Sequence, residues 1–352
     1  MSDLAIVTGV PGWLGSRLVD CLINGLPEVA ALARAPRTVR ALCLPGSDLS
    51  ALLKGPGGDQ IEKVEGDLSS GAGLDKLFSQ AQGATVFHVA GVIHPSKGRQ
   101  EFYSVNVEGT RRMLDAAKKA GVRRFIHVSS NSPIGCNDNP AAQHLFDEAS
   151  PYNPYMHYGR SKKMAEDLVN ESGRQGMETV IIRPPWFYGP GQPPRQRLFF
   201  TMIKTGKMPI VGSGENLRSM AYVDNICQGL MLCEQVQAAK GNTYWIADSE
   251  PYTMNTIVDT VERVLEKDFN ISCSHKRMRL PGLASEVALM VDATLQGLGL
   301  YHQKFHVLSE MNKNIACKID KARRELGYAP TVALEEGMRR SIQWVLEQGQ
   351  TI

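Results

Sequence analysis

The chain opens with an apolar run, Ala5-Ile6-Val7, that stops at Thr8 and gives way to glycines at positions 9, 12 and 15. Apolar residues then recur at helical spacing, Leu14, Leu18, Val19 and Leu22, as far as Asn24 and Gly25. This pattern predicts a buried strand, a tight turn and an amphipathic helix. Further apolar runs predict strands over 29–33, 61–65, 84–89 and 124–128. Between the last two, residues 102–120 alternate apolar and charged positions at helical period and end at Gly121, which predicts a long helix with a glycine stop. Strands and helices alternating in this way predict a parallel sheet covered by helices on both faces.

The alternation breaks after Arg183, where Pro184, Pro185, Pro190, Pro193 and Pro194 precede segments rich in Met, Leu and Phe. The expected architecture is therefore α/β: a Rossmann-type doubly wound parallel sheet over 1–182, with segments at about 215–247 returning to it, and a smaller C-terminal substrate-binding lobe over 183–352. The most apolar stretch, 280–301, is interrupted by Ser285, Glu286, Asp292 and Gln296. It predicts an amphipathic core or pocket helix rather than a membrane insertion, although the flanking His275, Lys276, Arg277 and Arg279 suit a phosphate or a membrane surface.

Composition narrows this picture. With 352 residues and 43% hydrophobic content the chain can bury a substantial core. Lys and Arg total 39 against 36 Asp and Glu, a formal charge of +3, so overall charge gives no reason to invoke nucleic acid or an anionic membrane, and local charge matters more. Seven scattered cysteines without a C-x-x-C pair suggest neither a disulfide framework nor a zinc site and point to a reducing compartment. The early first strand leaves no room for a signal peptide, so a cytoplasmic location is expected. His302, His306 and Glu310 fall at i, i+4 and i+8, but the outer two would lie ~12 Å apart along a helix, too far for one ion, and no metal is expected.

The glycine turn has the chemistry of a pyrophosphate cradle. Thr8, Gly9, Gly12, Trp13, Leu14 and Gly15 would let backbone N–H groups and a helix N-terminus approach the anion. At the end of the predicted second strand stands Arg34, with Arg37 close behind. An acid at that place accepts hydrogen bonds from the ribose of NAD, whereas an arginine accommodates the 2′-phosphate of NADP, so NADP is expected, with NAD as the alternative. Asp67 and Leu68 follow the third predicted strand, where a carboxylate could meet the adenine amino group or cap a helix. Ala90 and Gly91 after the fourth are small enough for a cofactor to lie across them, and His94 beyond them either touches substrate or is solvated.

The fifth predicted strand runs into Ser129 and Ser130, and Tyr158-Gly-Arg-Ser-Lys162 follows. TGVPGWLG, strand-end Ser130 and the Y-x-x-x-K pair resemble the extended short-chain dehydrogenase/reductase family, also called the NAD-dependent epimerase/dehydratase family. RPPWFYGPG from 183, RSMAYVDN from 218 and KARRELGYAP near the C-terminus extend the resemblance along nearly the whole chain. It implies that Ser130, Tyr158 and Lys162 are catalytic, that Lys162 also holds the nicotinamide ribose, and that Pro184 and Pro185 lie near the nicotinamide ring. It further implies a homodimer through helices at 102–120 and 158–173. The residues themselves agree: positions i and i+4 share a helix face, and an ammonium beside a phenol could supply the roughly 3 to 4 kcal/mol needed to bring tyrosine toward neutrality.

Asn131 and Ser132 stand where dehydratases of the family carry an Asp-Glu pair, so elimination of water is not expected. For the substrate, His94, Asn131, Trp186 and Arg218 are the candidate contacts. Arg218 occupies a position that nucleotide-sugar members use for the diphosphate, whereas Trp186, Phe187 and the apolar stretch after Leu280 suit a lipophilic, hydroxysteroid-like or flavonoid-like compound. The expected activity is NADP-dependent interconversion of a secondary alcohol and a ketone on one of these two substrate classes. A nucleotide-sugar epimerase that retains NAD and a non-catalytic NADP-sensing protein are the alternatives.

Overall fold

The computed structural model describes residues 3–33, 37–137 and 144–352. Apolar runs of the first half become β1 (Leu4–Thr8), β2 (Thr38–Cys43), β3 (Ile61–Glu65), β4 (Thr85–His88), β5 (Arg124–Val128) and β6 (Glu178–Arg183). The second half contributes β7 (Trp186–Tyr188), β8 (Pro209–Val211), β9 (Leu217–Arg218), β10 (Met220–Tyr222), β11 (Thr243–Trp245), β12 (Tyr252–Thr253) and β13 (Met278–Leu280). Seven of these form one sheet in the order β11-β6-β5-β4-β1-β2-β3, parallel throughout. Its central strands β4 and β5 are buried at every residue, as a sheet covered on both faces requires.

The helices are α1 (Trp13–Asn24), α2 (Ser50–Leu53), α3 (Leu74–Leu77), α4 (Thr110–Ala120), α5 (Met156–Arg174), α6 (Pro194–Lys204) and α7 (Val223–Gln235). After them come α8 (Met254–Phe269), α9 (Leu283–Gly297), α10 (Gln303–Glu310), α11 (Asp320–Leu326) and α12 (Leu334–Glu347). The segment predicted as one long helix begins as a π-helix, Phe102–Gly109, and tightens into α4 only at Thr110.

Strand order reverses between β1 and β4, and a crevice at such a switch point, outside the carboxyl ends of the strands, is where ligands bind in open α/β sheets. Close packing shapes that crevice here. Gly9 adopts a φ of 86°, and a Cβ on it would lie 2.9 Å from the Ala90 nitrogen at the end of β4. A Cβ on Gly12 would lie 2.6 Å from the Gly9 carbonyl oxygen, and one on Gly15 would press on the same atom harder still. The turn therefore closes only with glycine at all three positions.

The second strand lies elsewhere than the apolar run at 29–33 suggests. That run holds a single 3-10 turn, Ala30–Leu32, in which Leu32 is buried and its neighbours are exposed. The strand is β2, whose Val39, Ala41 and Cys43 face the core while Arg40 breaks the apolar pattern. Arg40 is tolerated because parallel pairing sets Glu62 of β3 beside its Nε at 2.7 Å, and the Leu77 and Ser79 carbonyls both accept from its Nη1. This correction moves the carboxyl end of the strand to Cys43.

Because the Gly9 carbonyl cannot retreat from β4, Gly15→Ala is expected to lower stability by about 2 kcal/mol or more. Thermal unfolding checks this; an unchanged melting temperature would mean the turn can open.

Candidate active site

The carboxyl end of β5 delivers two adjacent serines to different partners. Ser129 Oγ donates to Glu166 Oε1 at 2.5 Å and is spent there. Ser130 Oγ donates to Asn131 Oδ1 at 3.2 Å, accepts from the Ser132 N–H at 3.3 Å, and stands by the Tyr158 hydroxyl. Tyr158 lies in the first turn of α5, with Lys162 one turn on and Glu166 one turn further, so all three share the face packed on the sheet.

Lys162 is 3% exposed and its Nζ donates to the Val128 carbonyl, the last of β5, at 2.7 Å. Burial pushes its ammonium down to about 8, and the Glu166 carboxylate opposes that shift. Tyr158 is pushed up to about 12 by burial, against the Ser130 hydrogen bond and with the help of the Glu310 charge. The expectation that Lys162 draws the phenol toward neutrality is thus not met in this arrangement, because burial outweighs the Ser130 hydrogen bond and Glu310 adds to it.

The glycine turn fits a dinucleotide phosphate. Gly12 occupies the N-cap of α1 without any side-chain cap, which leaves the first helical N–H groups available to an anion. Leu14, by contrast, turns its side chain into the core. Thr8 Oγ1 accepts from the Ala90 N–H at 3.0 Å and bonds His88 Nδ1 at 2.9 Å, so it ties β1 to β4. Trp13 Nε1 donates to the Pro190 carbonyl at 2.6 Å and its ring lies 4.7 Å from that of Phe187, which joins the turn to the segment after β7. Gly91 opens directly in front of Lys162: a Cβ there would stand 3.7 Å from Nζ.

At the adenosine end the sequence reading changes. Arg34 lies outside the described residues and precedes β2 in the chain. Arg37 is drawn to α7, where both of its Nη atoms meet the Glu234 carboxylate at 2.8 and 2.9 Å. It sits at the amino end of β2, opposite the edge a dinucleotide would cross. The carboxyl end of β2 is instead followed by Leu44, which is 59% exposed and carries no charge. Asp67 Oδ1 accepts from the Ser69 N–H at 2.8 Å in a local turn, and Leu68 is buried beneath Gly109. Gly73, and not Asp67, is the N-cap of α3.

On the substrate side, His94 Nδ1 meets the Tyr301 hydroxyl at 2.6 Å, and burial first, with Arg195 and His306 adding to it, holds the ring neutral down to about 4. Tyr301 packs edge-on against Phe102, which lies 5.8 Å from Tyr158, so the segment between α9 and α10 brings aromatic rings up to Tyr158. Pro184 and Pro185 are buried, and Trp186 is half-buried with its ring against Phe199. Arg218 is half-buried, and its Nε has no hydrogen-bond partner among the described residues.

Three groups at the site escaped the sequence reading. Asn106, 1% exposed in the π-helix, accepts from the Val92 N–H at 2.7 Å and donates to the Val92 carbonyl and Ser161 Oγ, each at 3.0 Å. A polar residue at a core position of a long apolar-periodic helix was its signal. The second group is the Glu166–Arg183 pair, bonded at 2.6 and 3.0 Å and completed by the Tyr152 hydroxyl donating at 2.7 Å. Its signal was Glu166 two turns after Tyr158. The third is His306 against Asp292 at 2.9 Å, with Gln296 donating to the same carboxylate oxygen. Only tertiary packing reveals it.

A phosphate-accepting turn at the sheet's switch point, beside a serine, a tyrosine and a lysine, defines a Rossmann-type dinucleotide-dependent enzyme. The profile of the NAD dependent epimerase/dehydratase family matches residues 5–247, and the chain belongs to that family. It is an NAD(P)-dependent enzyme of the extended short-chain dehydrogenase/reductase type. It is 48% identical to uncharacterized protein y4nL of Sinorhizobium fredii over 99% of this chain and 97% of that one. Identity to a 3-beta-hydroxysteroid dehydrogenase of Mycolicibacterium neoaurum is 28%, covering 99% of this chain and 92% of the relative. Among solved structures, a UDP-glucuronic acid 4-epimerase from Bacillus cereus in complex with NAD shares the fold with a TM-score of 0.70 at 22% identity, over 98% and 99% of the two chains.

Lys162 titrates at about 8 when folded and at its ordinary 10.5 when unfolded. Between those values the unfolded chain binds the extra proton, so raising pH favours folding. The difference in unfolding free energy between the protein and Lys162→Met should therefore move in the protein's favour from about pH 8 to 10.5, as measured by denaturant titration. A difference flat in pH would contradict the depressed ammonium.

Proposed function

We propose that the protein interconverts a secondary alcohol and a ketone on a lipophilic ring compound, by hydride transfer to or from a nicotinamide dinucleotide. The convergence of Ser130, Tyr158 and Lys162 beside the glycine turn carries this reading. The dinucleotide supplies the hydride acceptor or donor. The N-terminus of α1 would hold its pyrophosphate, and Lys162, now bonded to the Val128 carbonyl, would turn one proton to its ribose. Ser130 orients the substrate oxygen and Tyr158 passes the proton to or from it. The intact trio favours this over the non-catalytic alternative.

Support for a lipophilic substrate comes from the rings of Phe102 and Tyr301 beside Tyr158, from the aromatic Trp186 and Phe187 after Pro185, and from the similarity to a 3-beta-hydroxysteroid dehydrogenase. One observation favours the nucleotide-sugar epimerase reading: the partnerless Arg218 Nε is what a diphosphate would satisfy. A dimer through the paired helices at 102–120 and 156–174 and a cytoplasmic location are part of the same proposal, and no helix among the described residues is long and apolar enough to cross a membrane.

For the cofactor, the argument for NADP loses Arg37 to Glu234. We propose that NAD and NADP are both accepted, since Leu44 at the end of β2 neither repels a 2′-phosphate nor pairs with it. Initial rates with the two cofactors should give kcat/KM values within about tenfold of each other; a preference above about a hundredfold would refute neutral readout.

Tyr158→Phe should bind dinucleotide like the parent protein and lose at least about a thousandfold in turnover of a hydroxysteroid or ketosteroid. Normal turnover by this variant would remove Tyr158 from the chemistry. Turnover of UDP-sugars, lost in Arg218→Ala, would replace the lipophilic reading by the epimerase one.

A further inference from the structure

We propose that the outer face of α9 and α10 docks on an anionic lipid bilayer. The polarity of α9 is reversed relative to an ordinary surface helix. Its buried positions are Ser285, Ala288, Asp292 and Gln296, one stripe at i, i+3, i+7 and i+11. Its outward positions are Leu283, Val287 and Met290, exposed at 70%, 47% and 64%. Leu298 and Leu300 continue the surface at 73% and 55%, and Val307 of α10 joins it at 44%. A soluble surface helix shows the opposite arrangement, and apolar patches of this kind mark interaction sites.

The rotation of α9 is fixed by its inner stripe. Gln296 Nε2 donates to Asp292 Oδ2 at 2.8 Å, and His306 of α10 meets the same oxygen at 2.9 Å. Arg99 holds the C-terminal end of α9 by donating to the Gln296 carbonyl at 2.6 Å. Turning the apolar face inward would break these bonds and leave the Asp292 carboxylate without its partners, which holds Leu283, Val287 and Met290 outside.

Charge around the patch selects the occupant. Between His275 and the end of α10 the acidic residues are Glu286, Asp292 and Glu310, and each is already paired, Glu286 with Lys313 at 2.6 Å, Asp292 with His306 at 2.9 Å and Glu310 with His306 at 3.8 Å. Arg277 and His275 are occupied by Asp259, Glu262 and Glu266. Lys276 and Lys304 are exposed and have no ion pair among the described residues, and exposed Arg279 donates only to the Ser213 carbonyl. An apolar face flanked in the chain by unneutralised cations, Lys276 and Arg279 before α9 and Lys304 in α10, matches lipid tails and anionic headgroups. A second copy placed face to face would set the same cations against one another. With 15 residues, α9 is too short to span a bilayer and would lie flat on it. Tyr301, between α9 and α10, contacts both His94 and Phe102, so the docked face adjoins the aromatic wall of the catalytic site and a lipophilic compound could pass from lipid to Tyr158. The docking itself does not depend on the proposed reaction.

The test is co-sedimentation of the full chain with vesicles of phosphatidylcholine, with and without phosphatidylglycerol. Binding to the phosphatidylglycerol vesicles is expected, weakened by salt, and reduced about tenfold or more in Met290→Glu with Leu298→Glu. Both sites are exposed, so the double variant should keep the parent's melting temperature and its turnover of a water-soluble ketone. Tyr158→Phe should bind vesicles like the parent, which separates this proposal from the catalytic one. Failure to bind either vesicle, or equal binding by the double variant, overturns it. So does a dimer that the double variant dissolves without any vesicle binding, since the occupant is then a second copy.

Discussion

The site depends on a buried ion pair that takes no part in the chemistry. Glu166 and Arg183 are 0% and 2% exposed, and each carries a charge that would be costly to leave alone in the core. Glu166 belongs to α5 and Arg183 ends β6, so their two hydrogen bonds fix the height and rotation of the helix on the sheet. Ser129 and Tyr152 saturate the remaining carboxylate positions, which joins the end of β5 to the same anchor. Lys162 and Tyr158 then fall one and two turns back along α5, beside the Val128 carbonyl and Ser130. Breaking such a pair leaves an uncompensated charge, so the arrangement is rigid where proton transfer needs fixed distances.

The second constraint is the close approach of β1 and β4. Gly9 against Ala90, with Gly12 and Gly15 folded on the Gly9 carbonyl, presents the start of α1 to the switch point of the sheet. Thr8 and His88 lock that approach from inside, with His88 bonded on its other nitrogen to Thr110 at 2.9 Å and held neutral by burial. The glycine turn at the end of β1 and Ser130 after β5 thus lie on either side of β4 in one sheet. The α9–α10 hairpin is a different kind of element: Asp292, Gln296 and His306 bond one another on its inner side while Leu283, Val287 and Met290 face outward.

Much of this was legible in the residues because it rests on short-range pattern. TGVPGWLG announces the turn since only glycine fits the collisions there, and Y-x-x-x-K announces the shared helix face since i and i+4 always align. The family followed from those motifs. The second strand was misread because Val29 to Ala33 is apolar in sequence, whereas Arg40, neutralised only by Glu62 of a neighbouring strand, hid the real one. The NADP expectation rested on Arg34, which lies outside the described residues, and on Arg37, which pairs with Glu234.

What the sequence determined by itself is the sheet-and-helix alternation, the glycine turn and the shared helix face of Tyr158 and Lys162, each set by local geometry. What only the tertiary structure decided is where charges go. Arg37 is taken by Glu234, Ser129 by Glu166 and Asp292 by His306, all through partners distant in the chain. Tyr158 rises to about 12 and Lys162 falls to about 8 because burial, a property of the packed molecule, outweighs the Ser130 hydrogen bond at the first and the Glu166 carboxylate at the second. The reversed polarity of α9 belongs to the same class. Its amphipathic period is in the sequence, but which face turns inward was settled by hydrogen bonds to α10 and Arg99.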